Sequence, residues 1–348
     1  MRAAVYYGPN KVAVEDVAVP TPGPGTVQLQ VGFNGICGTD LHEYYAGPIF
    51  VPTQPHPLTH RELPLTLGHE FSGTITAVGA GVTEWREGDR VAVEPIYKCG
   101  HCGPCGAGNY NVCQQIGFHG LMSDGGMAEY TVVPTSMLHR LPDNVSLELG
   151  ALVEPMSVAY HAATLGDVRP GDTAMVFGAG PIGIGLWFAL RGKGLDDVLV
   201  VEPSQTRRRA IETLGARTLD PTALDIPAFI AEHTDGNGAD AVFDAAGVQP
   251  SVATAMACVG SRKPTISVAI YEKPLETPLL NLVMNESRIQ GSLCYTGADF
   301  EAVIALMAQG AYDTTGWVAR IGIDDVVDEG FEALHAGTKM KVLVDPTA

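Results

Sequence analysis

The hydrophobic and polar residues follow two different periods along the chain. From Met1 to about Glu94, short segments such as Thr26–Val31 and Thr74–Val78 alternate apolar and polar residues, and proline and glycine separate them. This alternation, with turn residues between the segments, is typical of antiparallel strands. The same pattern returns at Ala128–Val133, so the first part of the chain predicts a mainly antiparallel β domain.

Two irregular segments interrupt this first domain. The segment from Glu43 to Pro64 contains five prolines, which discourage regular structure. A loop of this length without helices or strands is often a functional lid. A lobe rich in cysteine and glycine extends from Lys98 to about Gln115.

After Leu149 the pattern changes, and strand-like and helix-like segments alternate as far as about Gly291. This alternation predicts an α/β fold, in which helices cover a parallel sheet. Ser204 has the side chain of an N-cap, and Gly215 is suited to end the helix between them. The predicted strands are Thr173–Phe177, Asp197–Glu202, Ala239–Phe243 and Thr265–Ala269.

The C-terminal stretch predicts helices at Asp299–Gln309 and Asp324–His335 and a strand at Met340–Val344. The pattern alone leaves two arrangements open. These elements either extend the α/β domain or fold back onto the first domain.

Composition and charge narrow the class of protein. The chain has 348 residues, 46% of them hydrophobic and 17% charged, which suits a globular protein of two domains. Its formal net charge of -18 argues against binding to nucleic acids or anionic membranes, which attract clustered Lys and Arg. The N-terminus has no signal-peptide pattern, so we expect a cytoplasmic protein.

A glycine-rich turn links the first two strands of the α/β part. Its sequence, Gly178-Ala179-Gly180-Pro181-Ile182-Gly183, lies between an apolar run and a helix-compatible segment. Gly178 permits the tight turn, Gly180 lets the backbone approach a pyrophosphate, and Gly183 lets helix and strand pack closely. A buried helical hairpin or a membrane span is the alternative for Ala174–Leu190, which carries no charge. The glycines and the short length argue against it.

Glu202 ends the second strand, where a carboxylate would hold the ribose hydroxyls of a dinucleotide. Its charge would also repel a 2′-phosphate, so NAD is expected rather than NADP. Three arginines follow Glu202 closely, and Arg207 or a neighbour could face the adenosine.

Four cysteines form a closely spaced group in the lobe at residues 98–115. Cys99, Cys102, Cys105 and Cys113 have the spacing C-x2-C-x2-C-x7-C. Four thiolates on a glycine-rich loop make a closed tetrahedral site, which predicts structural zinc in a reducing compartment. An iron–sulfur cluster is the rival, but its motif would place Cys-Pro last, and Gln114 follows Cys113. Lys98 and His101 are interpreted as solvated residues of the lobe.

A second set of potential zinc ligands is scattered along the sequence. It comprises Cys37, the pair His69 and Glu70, and Glu154. Glu154 lies in an apolar run, where a carboxylate costs several kcal/mol unless a cation or hydrogen-bond donors compensate it. Taken singly, Cys37 also fits a packed thiol and His69 a core histidine.

In combination these motifs resemble the zinc-dependent medium-chain dehydrogenases. The resemblance covers the whole chain and rests on Cys37-Gly-Thr-Asp-Leu-His42, Gly68-His-Glu70, the four-cysteine lobe, Val153-Glu-Pro155 and the glycine turn. It implies a GroES-like catalytic domain at residues 1–155, an NAD-binding Rossmann domain at residues 156–293, and a C-terminal segment, residues 294–348, that returns to the catalytic domain.

The resemblance also assigns roles in a catalytic zinc site. It implies that Cys37, His69 and Glu154 are the zinc ligands, and that Glu70 is a nearby carboxylate able to approach the metal. Asp40 would hold the far ring nitrogen of His69.

For Thr39 and His42 the resemblance implies a relay that carries the alcohol proton to solvent. A turn hydroxyl and a surface imidazole are their alternative roles.

The implied activity is hydride transfer between a small secondary alcohol and NAD. Within the family, the stretches Leu41–Pro52 and Leu67–Gly73 look like the 2,3-butanediol dehydrogenases, which implies a vicinal diol or hydroxyketone as substrate. Tyr44, Ile49 and Phe50 are expected to line part of the pocket. Sorbitol and threonine dehydrogenases are the alternatives of the same class, and a non-catalytic dinucleotide-binding sensor is the alternative of another class.

Two expectations concern features outside the sites. Relatives are dimers or tetramers, so we expect a homo-oligomer, with Thr265–Ile270 as a candidate edge strand for pairing. Cys258 and Cys294 are predicted to be buried free thiols.

Overall fold

A computed structural model describes residues 1–271 and 273–348. The chain divides into two compact units. The first contains Met1–Glu154, Thr296–Ala308 and Val318–Ala348, and the second contains Pro155–Tyr295 and Gln309–Trp317. The sequence prediction assigned all of residues 294–348 to the first domain, whereas Gln309–Trp317 belongs to the second unit.

The first part of the chain is built mainly of strands. The strands are β1 (Arg2–Gly8), β2 (Lys11–Asp16), β3 (Thr26–Gly35), β4 (Leu65–Thr66), β5 (Glu70–Val78), β6 (Arg90–Val93), β7 (Ile96–Tyr97), β8 (Gly117–Phe118), β9 (Tyr130–Pro134) and β10 (Leu138–Arg140). Two α-helices and two 3-10 helices lie between them: α1 (Gly38–Ala46), α2 (Gly103–Gly106), and the 3-10 helices Tyr110–Val112 and Thr135–Met137.

The middle of the chain alternates helices and strands. The helices are α3 (Leu147–Leu165), α4 (Pro181–Gly192), α5 (Gln205–Thr213), α6 (Ile226–His233), α7 (Gln249–Cys258) and α8 (Leu279–Asn285). The strands are β11 (Thr173–Phe177), β12 (Asp197–Val201), β13 (Arg217–Leu219), β14 (Ala241–Asp244), β15 (Pro264–Ser267) and β16 (Arg288–Gly291).

The C-terminal part adds α9 (Gly297–Ala308), β17 (Val318–Gly322), α10 (Ala333–His335) and β18 (Lys341–Asp345). The sequence predicts a helix at Asp324–His335, and the segment is helical, although not as one regular α-helix. A 3-10 turn, a π-helix at Val326–Glu332 and the short α10 occupy the segment. The wider π-helix, with its i to i+5 hydrogen bonds, lets Val326 and Phe331 both be buried on one side.

Mainly antiparallel sheets form the framework of the first unit, and β17 and β18 are paired in parallel. The largest has the strand order β10-β6-β5-β3-β18-β17, with β9 also paired to β3. The alternation in β3 has the predicted result, since Val27, Leu29 and Val31 are buried in the core and Gln30 is exposed. The last strand of the chain, β18, pairs with β3. The C-terminal strand therefore lies in the same sheet as β3, the strand that ends just before Cys37.

The second unit contains a six-stranded sheet of order β13-β12-β11-β14-β15-β16, and all its pairs are parallel. Helices connect the strands, so the predicted doubly wound α/β fold is confirmed. One detail is corrected. The segment Thr265–Ile270 was a candidate edge, but β15 pairs with strands on both sides, and β16 is the edge.

Among the described residues, no helix is long and apolar enough to span a bilayer.

Candidate active site and metal centres

The start of α1 organises the first group of predicted site residues. Cys37 is the N-cap of this helix, and Thr39, Asp40 and His42 lie on it. The Asp40 carboxylate accepts a hydrogen bond from the backbone amide of Cys37 at 2.9 Å. The thiol of Cys37 lies 3.6 Å from the hydroxyl of Thr39. This local capping fixes the backbone of Cys37, and the hydroxyl of Thr39 lies beside its thiol.

His69 lies in the turn that leads into β5, and Glu70 is the first residue of that strand. Gly68 has a positive φ of +107°, and a Cβ there would lie 2.4 Å from the Asn34 side chain, so only glycine fits. The ring nitrogen Nδ1 of His69 lies 3.6 Å from Oδ1 of Asp40, longer than a hydrogen bond. The two residues are buried and lie close together without a direct hydrogen bond in this structure. That Asp40 holds the ring nitrogen of His69 stays a prediction.

The first group of ligand atoms suits a zinc ion. One ligand atom from each of Cys37, His69 and Glu70 lies within 4.8 Å of the others. A thiolate, an imidazole and a carboxylate are the donors that zinc takes in open, catalytic sites. Burial lowers the pKa of His69, but the charges of Asp40 and Cys37 outweigh it and raise this pKa well above its ordinary value. A cavity that attracts positive charge in this way fits a divalent cation.

Glu154 lies on α3 and is buried. Within the described part of the chain, the group of atoms that lie within 4.8 Å of one another includes Glu70 and does not include Glu154. The structure therefore places Glu70 beside Cys37 and His69, whereas the family resemblance implied Glu154 as the third ligand. The ligand set Cys37, His69 and Glu154 stays a prediction.

Lys341, the first residue of β18, is a site residue that the sequence reasoning missed. Its ammonium group donates a hydrogen bond to the carbonyl of Ile36 at 3.0 Å and another to the carboxylate of Glu70. Burial lowers the pKa of Lys341, and the negative charges of Glu70, Cys37 and Glu154 outweigh it and raise the pKa. A signal existed in the sequence, because Lys341 begins the apolar run Val342–Val344, where a charge needs a partner.

The four cysteines of the lobe come together as predicted. Their ligand atoms form a second group within 4.8 Å of one another. Backbone amides of Gln114 and Cys105 lower the pKa of the Cys102 thiol to about 6, whereas burial and the neighbouring thiols raise that of Cys105 to about 12. Four negatively charged thiolates repel one another, and the positive charge of a zinc ion would offset this repulsion.

Lys98 and His101 make other contacts in the lobe. The ammonium group of Lys98 lies 3.5 Å from the centre of the Tyr110 ring. His101 is exposed, and its Nδ1 lies 2.9 Å from the carbonyl of Cys99. Neither belongs to the group of potential metal ligands.

The glycine turn has the geometry of a dinucleotide-binding loop. Gly178 has a φ of +98°, and Gly180 is the N-cap of α4, with Pro181 and Ile182 in its first turn. A Cβ on Gly183 would lie 1.9 Å from the carbonyl oxygen of Gly178. The amide groups at the start of α4 are thus presented beside the end of β11, as phosphate binding requires.

Glu202 follows β12 and lies beside this turn. Its carboxylate accepts hydrogen bonds from the backbone amides of Ala179 and Ser204, both at 2.8 Å. Arg208 forms an ion pair with Asp220 at 2.8 Å, while Arg207 is exposed at the surface. The structure therefore leaves Arg207 rather than Arg208 available to a ligand.

The predicted lid is attached to α1 through Glu43. The buried carboxylate of Glu43 accepts hydrogen bonds from the backbone amides of Ile49 and Val51, at 3.1 and 3.2 Å. Ile49 and the next residue, Phe50, are exposed. Tyr44 instead lies in the core, with its ring 5.1 Å from that of Phe331. Ile49 and Phe50 remain candidates to line a pocket, and Tyr44 is a core residue.

The two cysteines outside the sites differ in burial. Neither forms a disulfide. Cys258 is buried as predicted, and this burial raises the pKa of its thiol to about 12. Cys294 is half-buried, so the prediction of a fully buried thiol is wrong for this residue.

Comparisons with known proteins agree with this architecture. Residues 23–143 match the alcohol dehydrogenase GroES-like domain, and residues 181–309 match the zinc-binding dehydrogenase family. The chain is 41% identical to the (R,R)-butanediol dehydrogenase of Bacillus subtilis, over 99% of this chain and 100% of that protein. It is 34% identical to a probable diacetyl reductase ((R)-acetoin forming) of Saccharomyces cerevisiae, over 99% of this chain and 90% of that protein.

The similarity also holds for a solved three-dimensional structure. The crystal structure of 2R,3R-butanediol dehydrogenase from Bacillus subtilis superposes with a TM-score of 0.93 at 41% identity, covering 99% of each chain. The chain belongs to the zinc-dependent medium-chain alcohol dehydrogenases. It is an NAD-linked, zinc-dependent oxidoreductase with a GroES-like and a Rossmann-like domain.

Proposed function

We propose that this enzyme interconverts 2,3-butanediol and acetoin with NAD as hydride acceptor and donor. The observation that carries the proposal is the group formed by the half-buried Cys37 with the buried His69 and Glu70, in a chain that resembles butanediol dehydrogenases over its full length. A small vicinal diol or hydroxyketone is the substrate class that follows.

In this proposal Cys37 and His69 hold the catalytic zinc, with Glu154 as the predicted third ligand and Glu70 beside it. When bound, zinc acidifies a hydroxyl group and polarises a carbonyl. Asp40 would orient the imidazole of His69 from the far side. Its second oxygen accepts a hydrogen bond from the backbone amide of Cys37. His69, Glu70 and Glu154 are buried and Cys37 is half-buried, which limits the access of bulk water to these side chains.

Thr39 and His42 supply the proposed path for the proton. The hydroxyl of Thr39 lies beside the Cys37 thiol, and His42 is half-buried on the same helix. A hydroxyl and an imidazole in sequence can move a proton from a buried alcohol toward solvent.

The second unit binds the dinucleotide. The amides at the start of α4 would hold the pyrophosphate, and Glu202 would hold the adenosine ribose. The negative charge of Glu202 disfavours the 2′-phosphate of NADP, which supports NAD as the preferred cofactor.

We also propose that the protein is a homo-oligomer that pairs through the edge of the second unit. Leu280 and Met284 on α8 are 72% and 73% exposed, and β16 is an edge strand. Exposed apolar side chains beside an unpaired edge are typical of a subunit interface. Light scattering of the wild type and of Leu280→Glu tests this, and a wild-type monomer at micromolar concentration contradicts it.

We also propose that the protein is located in the cytoplasm.

A substrate panel with metal analysis tests the function. We expect two zinc ions per chain and the highest kcat/KM with 2,3-butanediol and acetoin, compared with sorbitol and threonine. A clear preference for sorbitol or threonine would replace the substrate assignment. A protein that binds NAD and a single zinc ion, without turnover, would be a sensor instead.

A further inference from the structure

Lys341 and Glu70 form an ion pair inside the first unit. Their side chains are only 3% and 1% exposed. The ammonium group of Lys341 also donates to the carbonyl of Ile36, the residue directly before Cys37. A buried ion pair costs desolvation energy on both sides, so it needs tight geometry to persist.

The carboxylate of Glu70 has little freedom to move. A Cβ at Gly35 would lie 2.1 Å from Oε2 of Glu70, so the backbone of β3 packs directly against this oxygen. Lys341 holds the same oxygen. The Glu70 carboxylate is therefore confined between a strand and an ammonium group.

The same carboxylate belongs to the group of potential zinc ligands with Cys37 and His69. A zinc ion in this group and the ammonium group of Lys341 would thus share one negative charge. Each cation reduces the attraction that Glu70 exerts on the other.

We propose that Lys341 is a positioning residue that limits how strongly Glu70 binds the catalytic zinc. Lys341 holds Oε2 of Glu70 and neutralises part of the carboxylate charge, so Glu70 binds the metal only weakly. The open coordination position is then left to the substrate. This inference rests on the zinc site of the proposed function and concerns only residues of the first unit.

The test compares zinc affinities in competition with a chelator. Wild type, Lys341→Met, Lys341→Arg, Glu70→Gln and the double variant Lys341→Met/Glu70→Gln are freed of metal and titrated with zinc. The four-cysteine lobe is an internal reference, because its affinity should be the same in all five proteins.

We expect Lys341→Met to bind the catalytic zinc on the order of tenfold more tightly, because the charge of Glu70 is no longer shared. Lys341→Arg keeps the positive charge and should stay close to wild type. The double variant should match Glu70→Gln, since the effect of Lys341 acts through Glu70. Turnover of Lys341→Met should fall although its zinc content is complete.

An unchanged or weaker zinc affinity in Lys341→Met would overturn the proposal, as would a tighter affinity that persists without the Glu70 carboxylate. If Lys341→Met does not fold, Lys341→Gln replaces it, because its amide can still donate to Ile36. Zinc affinity is measured without substrate, so absence of butanediol oxidation in the wild type would refute only the substrate assignment.

Discussion

The carboxylate of Glu202 accepts a hydrogen bond from the backbone amide of Ala179 at 2.8 Å, which ties the end of β12 to the glycine turn after β11. The pair places a negative charge directly beside the predicted pyrophosphate loop. Position and charge together make Glu202 the residue that should discriminate between NAD and NADP.

Replacing Glu202 by Ala should raise the KM for NAD about tenfold, the loss of roughly one charge-assisted hydrogen bond. The substitution should also reduce the preference for NAD over NADP, because the charge of Glu202 no longer repels the 2′-phosphate of NADP. Steady-state kinetics with both cofactors measure this, with Glu232→Ala on α6 as the control for a lost surface carboxylate. Unchanged kinetics with both cofactors would remove Glu202 from the binding site.

Two glycines of the turn should respond differently to alanine. A Cβ on Gly183 meets the carbonyl oxygen of Gly178 at 1.9 Å, whereas a Cβ on Gly180 meets nothing within 4 Å. We therefore expect Gly183→Ala to destabilise the cofactor-free protein by about 1–3 kcal/mol through overpacking. Gly180→Ala should leave this stability nearly unchanged and weaken NAD binding, because only the pyrophosphate approaches there. Thermal unfolding and NAD titration separate the two effects, and equal stability losses would contradict the assignment.

The features that the sequence predicted correctly depend on neighbours along the chain. Ser204 caps α5 by accepting a hydrogen bond from the amide of Arg207, and Gly215 follows the helix with a positive φ. The four cysteines meet because their spacing is short. Such local patterns need no knowledge of the rest of the fold.

The features that it missed depend on distant pairings. Lys341 meets Glu70 across 271 residues of sequence, and no local pattern connects them. The edge of the parallel sheet was assigned to the wrong strand, because strand order is set by the packing of the whole sheet. The closer approach of Glu70 than of Glu154 to the group with Cys37 and His69 is likewise a property of the assembled unit.

The pH dependence of stability should report on His139. Its imidazole lies between Glu94, at 2.8 Å, and Glu301, at 2.5 Å. Burial lowers the pKa of His139, and the hydrogen bonds and charges of the two carboxylates outweigh it and raise the pKa above its ordinary value. A raised pKa in the folded state stabilises the protein fully below the unfolded-state pKa of about 6.5. That contribution is lost as the pH rises through the folded-state pKa.

We therefore expect His139→Gln to lower the midpoint of thermal unfolding at pH 6, by an amount equivalent to about 1–2 kcal/mol. The difference from wild type should shrink as the pH is raised. Unfolding curves between pH 6 and pH 9 at fixed zinc concentration measure it, with Glu301→Gln as a milder variant that removes one partner. A difference that grows with pH would contradict the charged state of His139.

Single mutations should affect the two metal centres independently. Cys105→Ser removes one ligand of the closed lobe, and Cys37→Ser removes one ligand of the open group, so each variant should lose one of the two expected zinc ions. Loss of a structural zinc removes folding energy directly, so Cys105→Ser should unfold at lower temperature and become sensitive to proteolysis within residues 98–115. Cys37→Ser should keep the lobe resistant to protease and lose turnover, by at least about a hundredfold if the metal supplies several kcal/mol to the reaction. Zinc analysis, limited proteolysis and measurement of kcat on the same two preparations distinguish the roles of the two zinc ions.

If Cys105→Ser kept both ions, or if Cys37→Ser exposed the lobe to protease, the assignment of one structural and one catalytic zinc would be wrong.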